Sequence, residues 1–311
     1  DQKYFPELYS ESIQALEQQN LVRKTTRGYV YSGTARPTEV VSLESISDKT
    51  VTVTCNGNTL ETLTLNKAYE EVHPGAVLLH QGETYISEEL DLNRLTAKVR
   101  KENVNYYTEA LKTVDVAIKK SNEEKQIGVT VGIGELITTE FYHTYITKSY
   151  DEVIERKPLN LPPLSFSTVG MWFIIPDSIK KEIEDQGLEF DGGIHAVEHA
   201  MIAMSPIFAM CDRWDVGGLS TPLHPNTGNA TIFIYDGFEG GIGISETLYS
   251  KIKQLWEKTL KLIDNCECKD GCPSCIYSPK CGNENKPLDK KAANIILKRL
   301  LTLVQSTQQE T

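Results

Sequence analysis

The segment that most constrains this chain lies near its C-terminus, where CECKDGCPSCIYSPKCGN places five cysteines within sixteen residues. The chain has seven cysteines, and only Cys55 and Cys211 lie elsewhere. An odd number of thiols argues against a secreted protein with every cysteine in a disulfide. Clustered thiols in a reducing compartment more often bind a metal ion. We therefore expect metal binding to drive the folding of this segment.

The spacing of these cysteines predicts a closed zinc site. Zinc binds thiolate sulfurs at about 2.3 Å in a tetrahedral arrangement. Cys272 and Cys275 can occupy one edge of the tetrahedron, and Cys266 and Cys268 the other. Cys281 is then the spare thiol, although it could replace Cys266 instead. Four thiolates leave no position for water, so the expected role is structural. The alternatives are a four-cysteine iron–sulfur cluster, and disulfides or free thiols without a metal.

A second candidate site is the string HAVEH, with His195, Glu198 and His199. Histidines at positions i and i+4 share one face of a helix. The string matches the H-x-x-E-H pattern of inverted zinc peptidases, in which the glutamate is the general base. Because the surrounding helix is strongly apolar, the plainer interpretation is that these side chains satisfy each other's hydrogen bonds near the core. A second, non-catalytic metal site is a further alternative.

The string YDGFEGGIGIS, residues 235–245, precedes a helical pattern that we expect to continue through Asn265. Glycines before a helix leave backbone N–H groups that form an anion site. The string contains no P-loop lysine, which argues against a nucleoside triphosphate as the anion. Two interpretations stay open: a tight turn that packs a strand on the helix, or a contact with a nucleic-acid phosphate.

Charge is distributed unevenly along the chain. The net charge of −11 argues against a protein that coats nucleic acid with its whole surface. Residues 18–38 and 251–304 are locally basic, whereas residues 39–92 are strongly acidic. Either these are solvated faces, or the basic ends contact nucleic acid. Some lysines near the cysteines are expected to offset thiolate charge: Lys269, Lys280 and Lys286.

Periodicity predicts an α+β fold in three parts. Residues 1–33 read as a helix and a basic hairpin, which is how a winged-helix module ends. Residues 34–92 alternate with period two and predict a small β module with turns at Asn56-Gly57 and Gln81-Gly82. Residues 93–311 predict a larger mixed α/β domain, with the cysteine loop between two C-terminal helices. Gly132 and Gly134 are expected to mark a bulge or twist in its sheet.

The hairpin of residues 1–33 supplies the candidate DNA contacts. Three of its basic residues are expected to contact phosphates: Arg23, Lys24 and Arg27. Arg36 adds to the local basic charge of residues 18–38. Aromatic side chains are candidates for stacking on bases, and core packing is the alternative for each: Tyr29, Tyr31, Trp214 and Phe238.

Four strings occur in an order that resembles a known helicase family: HAVEHA, CDRWDVGG, IYDGFEGGIGIS and CECKDGCPSCIYSPKCGNENKPLDK. The order is similar to that in the C-terminal MrfA zinc-binding domain of superfamily 2 DNA helicases of the mitomycin repair factor A type. HPGAVLLHQGETY and VNYYT resemble the segment that links this domain to the helicase core. The resemblance covers roughly residues 60–304.

The resemblance implies the non-motor C-terminal region of a 3′-to-5′ ATP-dependent DNA helicase that acts in DNA repair. It implies structural zinc bound by four cysteines, and ATP and magnesium only through motor domains elsewhere in the parent chain. It also implies single-stranded or forked DNA and a repair nuclease as partners, no membrane, and a cytoplasmic, nucleoid-associated location. The accessory region would guide or clamp DNA.

No G-x-x-x-x-G-K-[ST] motif and no D-E-x-H motif occurs in the sequence. We therefore expect this chain alone not to hydrolyse ATP, and whether it is itself an enzyme stays open. The chain begins without Met, which favours a fragment or a processed chain. The alternative functions are an H-x-x-E-H zinc peptidase and a zinc-dependent protein-interaction module.

Overall fold

The computed structural model describes residues 9–34, 49–150 and 152–309, and the chain divides into two compact units, Asp1–Ile46 and Ser47–Thr311. The helices are α1 (Tyr9–Gln18), α2 (Leu65–Glu71), α3 (Asp177–Asp185), α4 (Phe190–Met204), α5 (Ile244–Ser250), α6 (Ile252–Asn265) and α7 (Lys290–Gln309). The strands are β1 (Val22–Thr25), β2 (Gly28–Tyr31), β3 (Thr50–Cys55), β4 (Asn58–Thr64), β5 (Val77–His80), β6 (Glu83–Asp91), β7 (Thr96–Lys101), β8 (Tyr107–Gln126), β9 (Thr130–Ser149), β10 (Glu152–Pro158), β11 (Leu164–Ile175), β12 (Val216–Thr221) and β13 (Ala230–Asp236).

The first unit contains α1 and the antiparallel hairpin β1–β2, as the sequence predicts. Thr25 pairs with Gly28 at the end of the hairpin. Gly28 has φ of 123°, a conformation that glycine adopts without steric cost. The helix and the hairpin are thus in place, whereas their assignment to a winged-helix module stays a prediction. Arg36 lies outside the described residues.

The second unit begins with a five-stranded sheet in the order β4-β3-β7-β6-β5. Both predicted turns are confirmed: Asn56-Gly57 joins β3 to β4, and Gln81-Gly82 joins β5 to β6. All four turn residues have positive φ, as this type of two-residue hairpin requires. The sheet and α2 enclose a small core of their own. Since β7 belongs to this sheet, the sheet extends beyond the predicted boundary at residue 92; the three-part domain division stays a prediction.

A six-stranded sheet forms the centre of the second unit, in the order β10-β9-β11-β13-β12, with β8 also paired to β9. Gly132 faces the Trp172 ring, where a Cβ would lie 2.4 Å from ring carbons. Gly134 pairs with Ser121, and the β8 register shifts on both sides of that pair. The irregularity that the sequence predicts is therefore present opposite Gly134, and the missing side chain of Gly132 leaves room for the buried Trp172 ring.

A layer of helices covers one face of this sheet and encloses the main core. Phe173 of β11 packs edge-on against Trp256 of α6, with ring centroids 5.1 Å apart. Helices α4 and α7 approach closely because Gly193 faces Ala292, where a Cβ would lie 2.6 Å from the alanine methyl. The α+β prediction is confirmed, with the cysteine segment between α6 and α7.

The long helix predicted to run through Asn265 is wrong, because the structure divides it into α5 and α6. Lys251 interrupts the helical backbone, with φ of −113° and ψ of 20°. Each part has its own packing partner: α5 packs against strands β11 and β13, whereas α6 packs against α4 and α7. Apolar periodicity runs through both helices and therefore does not reveal the interruption at Lys251.

The glycine string before α5 binds an anion that belongs to the chain itself. The fully buried carboxylate of Asp236 accepts hydrogen bonds from the backbone N–H groups of Ile242, Ile244 and Ser245 at 2.6, 3.2 and 2.8 Å. The Ser245 hydroxyl donates a further bond at 2.6 Å. Because Asp236 occupies these donors, the geometry favours the tight turn over the phosphate contact.

A polar cluster joins α2 to the central sheet. Lys112 Nζ lies 2.8 Å from carboxylate oxygens of both Glu70 and Glu140, and the Tyr142 hydroxyl donates to Glu140 at 2.7 Å. Burial alone would lower the pKa of Lys112, but the two carboxylates hold it above its ordinary value. Burial, together with these carboxylates, raises the pKa of Tyr142. A charged lysine therefore balances two glutamates at this junction.

Among the described residues, no helix combines the length and the apolar character that crossing a bilayer requires.

We predict that Lys112→Met lowers the free energy of unfolding by about 3 kcal/mol, because it leaves the Glu140 carboxylate buried without its cation. The matched control is Lys119→Met on the same strand, whose ion pair with Glu135 is exposed and should contribute less than about 1 kcal/mol. Urea unfolding followed by fluorescence measures both. Equal losses in the two variants would refute a special role for the buried cluster.

We predict that Asp236→Asn lowers the free energy of unfolding by about 2–3 kcal/mol, since the new amide group directs N–H donors at backbone N–H groups. Asp212→Asn is the control, because Asp212 is exposed, accepts from Trp214 N at 2.9 Å, and asparagine caps equally well. Thermal unfolding of both variants tests this. A shift at Asp236 no larger than that at Asp212 would contradict the assigned cap.

Candidate metal centres

Four cysteine sulfurs converge in the loop that follows α6. Cys266 Sγ lies 3.5 Å from both Cys268 Sγ and Cys272 Sγ, and Cys275 Sγ lies 3.5 Å from Cys268 Sγ and 3.8 Å from Cys272 Sγ. These separations are far longer than the roughly 2.05 Å of a disulfide bond. Zinc–sulfur bonds of about 2.3 Å in a tetrahedron place neighbouring sulfurs about 3.8 Å apart. The arrangement fits a tetrahedral metal ion at its centre.

The backbone of this loop is folded around the same cluster. The Cys272 carbonyl accepts hydrogen bonds from the N–H groups of Cys275 and Ile276, at 3.0 and 3.2 Å. This turn directs the sulfurs of Cys272 and Cys275 towards the same point. Lys290, at the start of α7, donates to the carbonyls of Cys266 and Cys268, each at 2.6 Å, and lies 3.3 Å from Cys268 Sγ. The start of α7 is thereby tied to the end of α6.

Two of these thiols have shifted acidity. Burial alone would raise the pKa of Cys268, but hydrogen bonds with Cys275, Cys266 and Lys290 lower it to about 7. Burial raises the pKa of Cys275 to about 12. Zinc binds thiolates, so metal binding at this cluster would release protons from its thiols.

The fifth cysteine lies in a second cluster with the two histidines of α4. One ligand atom from each of His195, His199 and Cys281 lies within 4.8 Å of the others. Cys281 Sγ is 3.5 Å from His195 Nε2. His195 Nδ1 lies 2.8 Å from the Pro287 carbonyl oxygen, and His199 Nδ1 lies 2.9 Å from that of Ile276. The loop that carries Cys281 is thus attached to α4 on both sides of the thiol.

The Cys281 thiol is acidic in this environment. Burial alone would raise its pKa, but hydrogen bonds from His195 and His199 lower it to about 6. The pKa of His195 is raised: burial opposes the shift, and the Cys281 thiolate and the Glu198 carboxylate outweigh it. The backbone N–H of Asn285 also donates to the sulfur at 3.3 Å. Thiolate character at Cys281 is therefore favoured at neutral pH.

Close packing against β8 fixes the backbone beside Cys281. A Cβ on Gly282 would lie 2.1 Å from the Lys112 carbonyl oxygen, so glycine allows the loop to contact the strand. The Asn285 side chain accepts from Ser278 N at 2.7 Å and donates to Ser278 O at 3.0 Å. These bonds close the loop around the thiol.

Glu198 lies outside the second cluster, although it belongs to the same sequence string. Its carboxylate is buried and accepts a hydrogen bond from the Ser220 hydroxyl at 2.7 Å. A Cβ on Gly218 would lie 2.7 Å from its Oε1 atom, so Glu198 faces strand β12. The structure brings together His195 and His199 of the predicted second site, with Cys281 rather than Glu198 as their neighbour.

The candidate DNA contacts of the first unit lie on the β1–β2 hairpin. Arg23, Lys24 and Arg27 are exposed, and Tyr29 is half-buried. Tyr31 has 38% of its surface exposed.

The two aromatic candidates of the second unit differ. Trp214 has 63% of its surface exposed, and Lys280 Nζ lies 5.7 Å from the centre of its ring. Phe238 is half-buried, and its carbonyl accepts a hydrogen bond from Thr168. Trp214 is therefore the more accessible of the two.

Two features of the cysteine and histidine clusters were not predicted from the sequence. Lys290, rather than one of the three lysines named from the sequence, places its ammonium beside a cluster sulfur. Lys280 instead donates to the carbonyls of Arg213 and Val216. The pairing of Cys281 with His195 joins residues 86 positions apart, and the spacing of either motif alone carries no signal for it.

The chain is similar in sequence to a known protein family and to several known proteins. The sequence model of the MrfA Zn-binding domain matches residues 197–276, a range that includes the first four cysteines of the loop. Protein MJ1572.1 of Methanocaldococcus jannaschii is 46% identical over 112 residues, which cover 35% of this chain and all of that protein. The ATP-dependent helicase YprA of Bacillus subtilis is 29% identical over 276 residues, which cover 86% of this chain and 36% of YprA.

A solved structure has the same fold. The crystal structure of the DUF1998 helicase MrfA bound to DNA aligns with a TM-score of 0.55 at 24% identity, over 94% of this chain and 39% of the MrfA chain. The chain thus spans little more than a third of the length of YprA and of MrfA. The domain model and the match to the whole of MJ1572.1 show that the chain belongs to the MrfA Zn-binding domain family.

Proposed function

We propose that this chain is the non-motor C-terminal accessory region of an ATP-dependent 3′-5′ superfamily 2 DNA helicase that acts in DNA repair. It binds structural zinc through Cys266, Cys268, Cys272 and Cys275, and it guides or clamps DNA while the motor domains move along a strand. The observation that carries the proposal is the tetrahedral arrangement of four sulfurs in a chain with the fold of MrfA.

The role of zinc is to fold the loop. Between Cys266 and Asp289, only Cys275 and Ile276 are buried, so the segment has little apolar surface with which to stabilise itself. A closed four-thiolate site leaves no coordination position for a substrate, which supports a structural role over a catalytic one. The free energy of metal binding then becomes free energy of folding for the junction of α6 and α7.

The relatives support the proposed role in DNA binding. MrfA was crystallised bound to DNA, and YprA is an ATP-dependent helicase. Exposed cations on the β1–β2 hairpin suit phosphate contacts: Arg23, Lys24 and Arg27. Exposed Trp214 suits stacking on an unpaired base.

ATP hydrolysis is assigned to motor domains outside this chain, because the sequence contains no P-loop lysine motif. ATP and magnesium would bind there. A repair nuclease as partner and a cytoplasmic, nucleoid-associated location are further expectations of the proposal.

We predict that Cys272→Ser combined with Cys275→Ser removes one equivalent of zinc relative to the unchanged chain and destabilises α6 and α7. Serine hydroxyls do not replace thiolates as zinc ligands at neutral pH. Elemental analysis gives the metal content, and hydrogen exchange gives the protection of the two helices. Cys211→Ser, outside both clusters, is the control and should keep the full content. An unchanged zinc content in the double variant would refute the site.

We predict that reversing three charges, Arg23→Glu with Lys24→Glu and Arg27→Glu, weakens binding of single-stranded DNA. Each lost phosphate contact reduces the slope of log affinity against log salt by about 0.7, so the slope should fall by about 2. Fluorescence anisotropy of a labelled oligonucleotide at several KCl concentrations measures both quantities.

The control for this experiment reverses three exposed lysines of the second unit that pair with glutamates: Lys98, Lys101 and Lys119. The change in net charge is identical, so a specific hairpin contact predicts a much smaller effect in the control. Equal effects on affinity and slope would show that only total charge matters, and they would remove the hairpin from the DNA path.

A further inference from the structure

The cluster of His195, His199 and Cys281 is unused by the proposed function. Its three side chains come from one face of α4 and from the loop before α7, and His199 is buried while the other two are half-buried. We propose that these three residues form a second metal site, separate from the four-cysteine site. The ion that it binds is a divalent transition metal ion, and zinc is the one expected.

The distances match such an ion. A zinc–nitrogen bond of about 2.0 Å and a zinc–sulfur bond of about 2.3 Å, at a tetrahedral angle, place nitrogen and sulfur about 3.5 Å apart. Cys281 Sγ and His195 Nε2 are separated by 3.5 Å. The His195 and His199 ring centroids lie 4.3 Å apart with an interplanar angle of 63°, so the rings are inclined rather than stacked. One ligand atom from each of the three side chains lies within 4.8 Å of the others, which is close enough for all three to share one ion.

The hydrogen bonds of the two histidine rings also leave Nε2 as the nitrogen that can bind a metal ion. A carbonyl oxygen only accepts hydrogen bonds, so the Nδ1 atoms that contact Pro287 O and Ile276 O carry protons. A metal ion binds the neutral imidazole, so it would replace the Nε2 proton that each ring donates to the Cys281 sulfur in the metal-free chain. Metal-binding histidines in proteins characteristically donate their other N–H to a carbonyl or carboxylate in this way. Both histidines meet this condition.

A reactive cysteine–histidine pair is the competing interpretation of the same residues. Such a pair needs one histidine as base and a group that orients it. Here a second histidine, oriented in the same manner on its own carbonyl, also faces the thiol. One imidazole would be superfluous to a nucleophile, whereas imidazole nitrogen and thiolate sulfur are both zinc ligands, and two imidazoles with one thiolate also suit copper.

The electrostatic surroundings suit an ion of charge +2. The Cys281 thiolate supplies one negative charge, and the buried Glu198 carboxylate, on the same helix as both histidines, supplies another. Three protein ligands leave a fourth position, which water can fill. The thiol is half-buried, so an ion has a route to the site.

The second site would act on the same loop as the first. Ile276, whose carbonyl orients His199, directly follows Cys275 of the four-cysteine cluster. Pro287, whose carbonyl orients His195, lies just before α7. One metal would thus close the loop on itself, and the other would attach it to α4.

Metal content of the zinc-loaded full chain, after removal of excess metal, tests the proposal. We expect two equivalents in the unchanged chain and one in each of Cys281→Ala and His195→Ala. Cys211→Ser is the control and should keep two. One equivalent in the unchanged chain, or two in Cys281→Ala, would overturn the second site. Because Cys272→Ser with Cys275→Ser removes the other equivalent, failure of one site is distinguishable from failure of the other.

Loading with cobalt shows whether the variant is folded. Alkylation of the thiol distinguishes the metal site from a reactive cysteine–histidine pair. The difference in visible absorption between the cobalt-loaded unchanged chain and Cys281→Ala should show a tetrahedral ion with thiolate ligation, while the four-cysteine bands persist in both as evidence of folding. Alkylation of Cys281, located by peptide mass mapping, should be slow with zinc and fast after chelation. Rapid alkylation of Cys281 in the zinc-loaded chain would identify a free nucleophile and refute the metal site.

Discussion

The position of α7 depends on the four-cysteine loop that joins it to α6, because contacts with this loop fix the first residues of α7. Lys290 contacts the carbonyls of Cys266 and Cys268, so the start of α7 lies directly against the four-cysteine cluster. Further along α7, Ala292 meets Gly193 of α4 at a distance that excludes any larger side chain. The cluster therefore sets the register in which α7 packs on the core, and burial of the apolar face of α7 stabilises that register.

Buried charge marks the other junctions of the second unit. Asp236 joins the end of β13 to the start of α5, and Glu198 joins α4 to β12. Glu140 of β9 is buried and is linked through Lys112 to Glu70 of α2. Each of these buried carboxylates is held by hydrogen bonds that link two different helices or strands. A buried charge without such partners would cost several kcal/mol, so each junction has one favoured geometry.

Local patterns predicted much of this structure, and long-range pairings explain the remainder. The hairpins at Asn56-Gly57 and Gln81-Gly82 follow from turn chemistry within four residues, and the convergence of the four sulfurs follows from their spacing. The break at Lys251 depends on which helices and strands α5 and α6 each pack against. Apolar periodicity along the sequence carries no information about these packing partners. The partnership of His195 with Cys281 likewise requires the tertiary fold, since neither motif encodes the other's position.

The distance along the sequence between the residues of each cluster also implies an order in which the two clusters form. The four cysteines lie within ten consecutive residues, so few conformations of the chain need to be lost to bring them together. His195 and Cys281 lie 86 residues apart, and closing the longer loop costs about 2 kcal/mol more at equal ligand strength. With metals bound as proposed at both sites, the first ion could bind before the domain folds, whereas the second would require α4 and the loop to be docked already. Zinc at the first cluster would in this way prepare the loop for attachment to α4 through the second.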